Sequence, residues 1–121
     1  MTINQDLISI FGVDKIVKTS DIINDSKNMD DYEIKTYTII RADHENDIIK
    51  TVNYANKYLI PIVVWGAGSS LTGAVVLDNS LVLDLSKMTK IIKIDPINWY
   101  VHVQPGIILE DLNEELKKYN F

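Results

Sequence analysis

The stretch IVVWGAGSSLTGAVVLDNSLVLDL, residues 62–85, sets a short apolar run, a loop holding three glycines, and a second apolar run one after another. IVVW (62–65) has the length and composition of a buried strand. The loop WGAGSSLTG (65–73) follows it directly. Glycine permits positive φ and close approach of backbone, so successive amides here can line a concavity that takes an anion without a formal positive charge. Ser69, Ser70 and Thr72 add hydroxyl donors. Two familiar phosphate motifs do not fit. A P-loop needs Lys then Ser or Thr after its last glycine, whereas Ala74 and Val75 follow Gly73. A dinucleotide fingerprint needs a third glycine where Leu71 stands, and a helix where VVLDNSLVLDL continues as strand.

Outward from this loop the apolar spacing alternates between strand and helix periods. KTYTII (35–40) reads as a strand, followed by Asp43 as the cap of a helix. In that helix Ile48, Ile49, Val52, Ala55 and Leu59 draw one apolar stripe, expected to cover a sheet. Pro61 ends the helix, and IVVW completes a β-α-β unit. LVLDL (81–85), KIIKID (90–95) and WYVHV (99–103) read as three further strands separated by turns. Pro105 and Gly106 break the last of them. Ile108, Leu109, Leu112, Leu116 and Tyr119 then predict a closing amphipathic helix. At the other end, Leu7, Ile8 and Phe11 predict a short helix over 4–11 with Gly12 as its stop. The polar run at 24–33 reads as a surface loop. The expected organisation is one α/β (α+β) domain, a small sheet flanked by helices, with 1–34 as lead-in and 35–121 as the functional unit.

The 121 residues, 46% hydrophobic and 24% charged, suit a single soluble domain, and the −5 net charge with no basic run argues against nucleic acid. Without cysteine there is no disulfide framework and no cysteine-based metal site. The first residues lack a signal-peptide pattern and no apolar run is long enough to span a bilayer, so a cytoplasmic address is the default expectation.

A strand, a glycine-rich loop and more strand resembles the FAD-binding fold of the vanillyl-alcohol oxidase and p-cresol methylhydroxylase superfamily. From about Ile39 to Phe121 the chain resembles the start of the D-lactate dehydrogenase and glycolate oxidase D-subunit family. The likeness lies in YANKYLIPIVVWGAGSSLTGAVV, LVLDLSKMTKIIKID and VHVQPGIILEDLNEEL. It implies FAD as cofactor, with Trp65, Gly66, Ala67, Gly68, Ser69, Ser70, Thr72 and Gly73 around its pyrophosphate. It also implies a 2-hydroxy acid such as D-lactate or glycolate as substrate of the complete enzyme. The family carries Arg or Gln where Trp65 stands, and its catalytic His and Arg lie in a substrate domain beyond the segment matching Phe121, so no catalytic residue is assigned here. Uncovered sheet edges then predict self-association or a complementing chain. The rival expectation is a fragment that folds with the loop empty.

The remaining polar residues carry blander expectations. His44 and His102 lack a second ligand at metal spacing, and no metal site is assigned. Glu110, Asp111, Glu114 and Glu115 suit the positive start and solvated face of the last helix. Tyr54, Tyr58, Trp99 and Tyr100 are expected to pack.

Overall fold

The computed structural model describes residues 2–17, 36–66 and 79–120. Helix α1 (Ile3–Phe11) starts at a capping box in which Thr2 and Gln5 satisfy one another's backbone amides, and stops at Gly12, whose φ of 84° only glycine takes easily. A 3-10 turn at Val13–Lys15 leads into strand β1 (Ile16–Val17). Strand β2 (Thr36–Arg41), helix α2 (Glu45–Tyr58) and strand β3 (Ile62–Trp65) follow as expected. Helix α2 ends on Leu59 in the left-handed region, with Pro61 just beyond it.

Strand β4 (Ser80–Asp84) is the centre of the sheet. The order is β1-β2-β4-β3, with β4 parallel to both neighbours and β1 antiparallel at the edge. The β2-α2-β3 unit therefore does not pair its own strands, because the later strand enters between them. Its five residues are all buried, which is why the run reads as nearly continuous apolar sequence rather than as alternation. One face packs Ile40 and Leu81 against Leu7 of α1 and Tyr54 and Ala55 of α2. The opposite face joins Ile39, Val63, Trp65 and Val82.

The N-terminal lead-in belongs to this core. Leu7 is fully buried, Thr38 Oγ1 donates to Asn4 Oδ1, and Tyr54 donates to Asp6 Oδ2 at 3.4 Å. Burial, and next the Asp6 charge, push the Tyr54 hydroxyl's pKa up.

Three expectations need correction. The apolar stripe of α2 is rotated: Thr51, Tyr54 and Ala55 are buried, while Ile49 is 50% and Leu59 90% exposed. Thr51 is tolerated inside because its hydroxyl donates back to the carbonyl of Asp47 at 2.8 Å, a bond that periodicity of apolar residues does not reveal. Second, the strands among the described residues form two sheets. Strands β5 (Ile91–Asp95) and β6 (Tyr100–Val103) form a separate antiparallel hairpin. Its turn is held by Asp95, which accepts from the Asn98 amide at 2.9 Å, so its carboxyl lies well below the usual carboxylate range. Trp99 occupies a left-handed position there and is 76% exposed rather than packed. Third, the closing helix α3 (Leu109–Leu116), followed by a 3-10 turn at Lys117–Tyr119, buries only Leu112 among the described residues and leaves Leu109 69% exposed. The stretch at 24–33 lies outside the described residues.

Candidate functional site

Parallel strands bring their C-terminal ends to one side of a sheet, and in open α/β sheets ligands gather there. Here β2, β4 and β3 end in one cross-strand row, Arg41 beside Asp84 and Asp84 beside Trp65. The glycine loop leaves from this row. The end is tied by main-chain bonds, with the Ala42 amide donating to Asp84 O at 2.9 Å and the Leu85 amide to Trp65 O at 2.8 Å.

Trp65, expected among the cofactor contacts, turns its indole into the core beside Ile39, Val63 and Val82 and is only 4% exposed. It supports the loop as a wall of the sheet and offers no open stacking surface. Alternation along β3 is the cause, since Val63 and Trp65 must share a face. Gly66 follows at the strand end, where a Cβ would lie 3.4 Å from the Pro105 carbonyl oxygen, so the departing backbone runs close against the Pro105–Gly106 corner. Ala67, Gly68, Ser69, Ser70, Thr72 and Gly73 lie outside the described residues.

Gly106 is the tightest backbone approach in this region. A Cβ on it would come 2.1 Å from the Leu85 carbonyl oxygen and 2.9 Å from that of Met88, to which the Gly106 amide donates at 2.8 Å. The corner thereby welds the entrance of α3 onto the turn after β4. Sequence reading saw only a strand breaker here.

The buried ion pair of the row was also missed. Arg41 Nε donates to Asp84 Oδ2 at 2.6 Å, and the other oxygen of Asp84 accepts from the Ser86 amide at 2.9 Å. The Asp84 side chain is 4% exposed and that of Arg41 32%. The available signal was a lone carboxylate inside the apolar run LVLDL, which at that burial needs a partner.

At the same sheet end, past β2, the structure gathers Asp43, His44 and Asp47 with ligand atoms within 4.8 Å, which the spacing-based reading of His44 did not anticipate. The place of a cation there is taken by Lys15, whose ammonium reaches Asp43 at 2.7 Å and Asp47 at 2.5 Å. Those bonds raise the Lys15 pKa. Lys15 first, and then His44, holds the Asp43 carboxyl well below the usual range. Asp43 is consequently not the helix cap that the sequence predicted. His44 is the N-cap residue and makes no side-chain cap bond, while Asp47 reaches back to accept from the Asp43 amide at 3.3 Å. The His102 side chain stands exposed on β6.

From Trp65 to Leu77 the sequence holds amides and hydroxyls and no carboxylate, and the one described carboxylate of the row is already satisfied by Arg41 and Ser86. A family model described as FAD binding domain matches residues 37–121. A D-lactate dehydrogenase of Anaerostipes hadrus is 29% identical over 109 residues, which are 86% of this chain and 23% of that protein. Among solved structures, p-cresol methylhydroxylase with substrate bound aligns at TM-score 0.71 and 24% identity over 96% of this chain. A 4-ethylphenol oxidase from Gulosibacter chungangensis aligns at TM-score 0.79 and 24% identity, again over 96% of this chain. These two structures share the fold, and the chain spans 24% of each. Among the described residues no helix is long and apolar enough to cross a membrane.

Proposed function

Because this chain belongs to the FAD binding domain family, with FAD as its cofactor, we propose that the loop from Gly66 through Ala67, Gly68, Ser69, Ser70, Thr72 and Gly73 seats the FAD pyrophosphate. Main-chain amides and the three hydroxyls are the donors. A dry nest of dipoles can hold a fixed dianion in this way without placing a mobile cation beside the flavin. The observation that carries the reading is the position of Gly66, at the C-terminal end of a parallel strand and beside the Pro105–Gly106 corner. Trp65 contributes through its backbone and by walling the sheet.

The complete protein is read as a flavin-dependent dehydrogenase or oxidase of 2-hydroxy acids, of the D-lactate or glycolate class. The similarity to a D-lactate dehydrogenase, of which this chain spans 23%, supports this. Bound FAD would supply a two-electron acceptor for hydride leaving the substrate α-carbon. This chain's part is to bind and orient the dinucleotide, and none of its residues is assigned to the chemical step.

Titration of the purified chain with FAD, followed by flavin absorbance and fluorescence, tests the seat. Saturable quenching with a shifted oxidised-flavin spectrum is expected. A chain that leaves the FAD spectrum unchanged would instead be the alternative, a folded unit with an empty loop.

A further inference from the structure

The β5–β6 hairpin turns through PINWY (96–100), a run without a charged residue. Two of its side chains project: Ile97 is 88% and Trp99 76% exposed, with Tyr100 beside them also open. Single exposed apolar residues are ordinary on a protein surface, but an isoleucine and a tryptophan standing together on one convex tip are not. Trp99 is also held at a φ of 57°, in the left-handed region where glycine or asparagine is the usual residue. Backbone preference does not account for an indole there, and neither does burial.

The tip is mounted on a fixed base. Asp95 accepts from the Asn98 amide at 2.9 Å and from the Asn98 side chain at 3.2 Å. Lys93 donates to Asp95 at 3.0 Å and to Tyr100 Oη at 2.7 Å. The Asp95 side chain, 13% exposed, thereby meets its counter-charge inside the hairpin, and the donors of Asn98 are satisfied within the turn. Shape and charge then select the occupant. An uncharged convex tip with an aliphatic side chain and two aromatic rings bearing polar edges matches the boundary between lipid headgroups and acyl chains, where tryptophan and tyrosine concentrate. Lipid closes around a projecting side chain, which a flat protein surface does not, and it admits Asn98 at small cost because its donors are already bonded. The net charge of −5 opposes approach to anionic headgroups, so the surface that fits is zwitterionic.

We propose that the hairpin tip, through Ile97 and Trp99, is a membrane-surface anchor that dips into the interface of a neutral, phosphatidylcholine-type bilayer. The contact is weak and reversible, because two side chains bury less apolar surface than one acyl chain. It is independent of the loop reading, and a chain that binds no FAD leaves it standing.

Tryptophan emission of the 121-residue chain, at a dilution where light scattering shows monomer, tests the anchor as phosphatidylcholine vesicles are added. Trp65 is buried and supplies a constant background, so a shift reports Trp99. A blue shift that saturates at lipid concentrations on the order of millimolar is expected, with quenching by lipids brominated along the acyl chain. Ile97→Ser should weaken partition by about tenfold or more, the scale of one lost aliphatic side chain. Trp99→Gly relieves the left-handed backbone and so keeps the fold, and it should weaken cosedimentation with vesicles to a similar extent. Including phosphatidylserine should not tighten binding. An unchanged spectrum with lipid, partition that survives both substitutions together, or partition that needs phosphatidylserine and vanishes in salt each overturns the proposal. An indole shielded by concentrating the chain alone, with vesicles adding nothing, assigns the tip to a contact between copies and overturns it as well.

Discussion

Replacing Gly106 by alanine isolates one steric fact. The added Cβ would sit 2.1 Å from the Leu85 carbonyl oxygen and 2.9 Å from that of Met88, both main-chain atoms that no side-chain rotation can clear. Leu85 is held in place by its amide bond to Trp65 O, and Met88 accepts the Gly106 amide, each at 2.8 Å. Relief requires roughly 1 Å of backbone movement, comparable to an overpacked core site at about 1–3 kcal/mol. Loss of the Gly106–Met88 bond would add on the order of 1 kcal/mol. Against this, alanine restricts the unfolded chain and returns about 0.4–1 kcal/mol. A net loss of about 2 kcal/mol is expected, which lowers the melting temperature by on the order of 10 °C in a domain of this size. Urea unfolding followed by circular dichroism measures it, with Gly66→Ala as the control, because its Cβ would meet only the Pro105 oxygen at an ordinary 3.4 Å. A Gly106→Ala chain within about 1 kcal/mol of wild type would show that the corner is not rigid, and the reasoning that ties it to the loop exit would fail.

Leu7→Ala should cost about 2–5 kcal/mol in the same assay, because the side chain is fully buried between α1 and the sheet; a negligible loss would detach the lead-in from the core. The stability gap between wild type and Lys15→Met should be flat across neutral pH. It should close as pH falls below the ordinary carboxylate value of about 3.9, through the depressed value of Asp43, and again as pH rises past about 10.4, through the raised value of Lys15. A gap independent of pH would remove the ion triad from the account. The exposed Ile97, Leu109 and Ile92 should promote self-association, so light scattering that shows only monomer at high concentration would count against an uncovered face.

What the sequence disclosed depended on how far apart the deciding atoms lie along the chain. Helix α1, with Thr2, Gln5 and Gly12 all local, was legible, as were β3 and the fully buried β4. The rotated face of α2 was not, since a threonine became a core residue through a bond to its own helix. The row of Arg41, Asp84 and Trp65 joins residues from three strands, and its members look unrelated in sequence. Gly106 carried an ordinary turn signal whose real cause, the carbonyl of Leu85, lies twenty-one residues earlier. Lys15 engages Asp43, the expected cap, by a contact across twenty-eight residues.

The insertion of β4 between β2 and β3 constrains how the molecule assembles. Neither outer parallel strand can hydrogen-bond the other in the final ladder, and Ile39 must wait for Val82 to arrive. The sheet cannot zip from a local hairpin, so closure is governed by a long excursion of chain and should be slow relative to that of the β5–β6 hairpin.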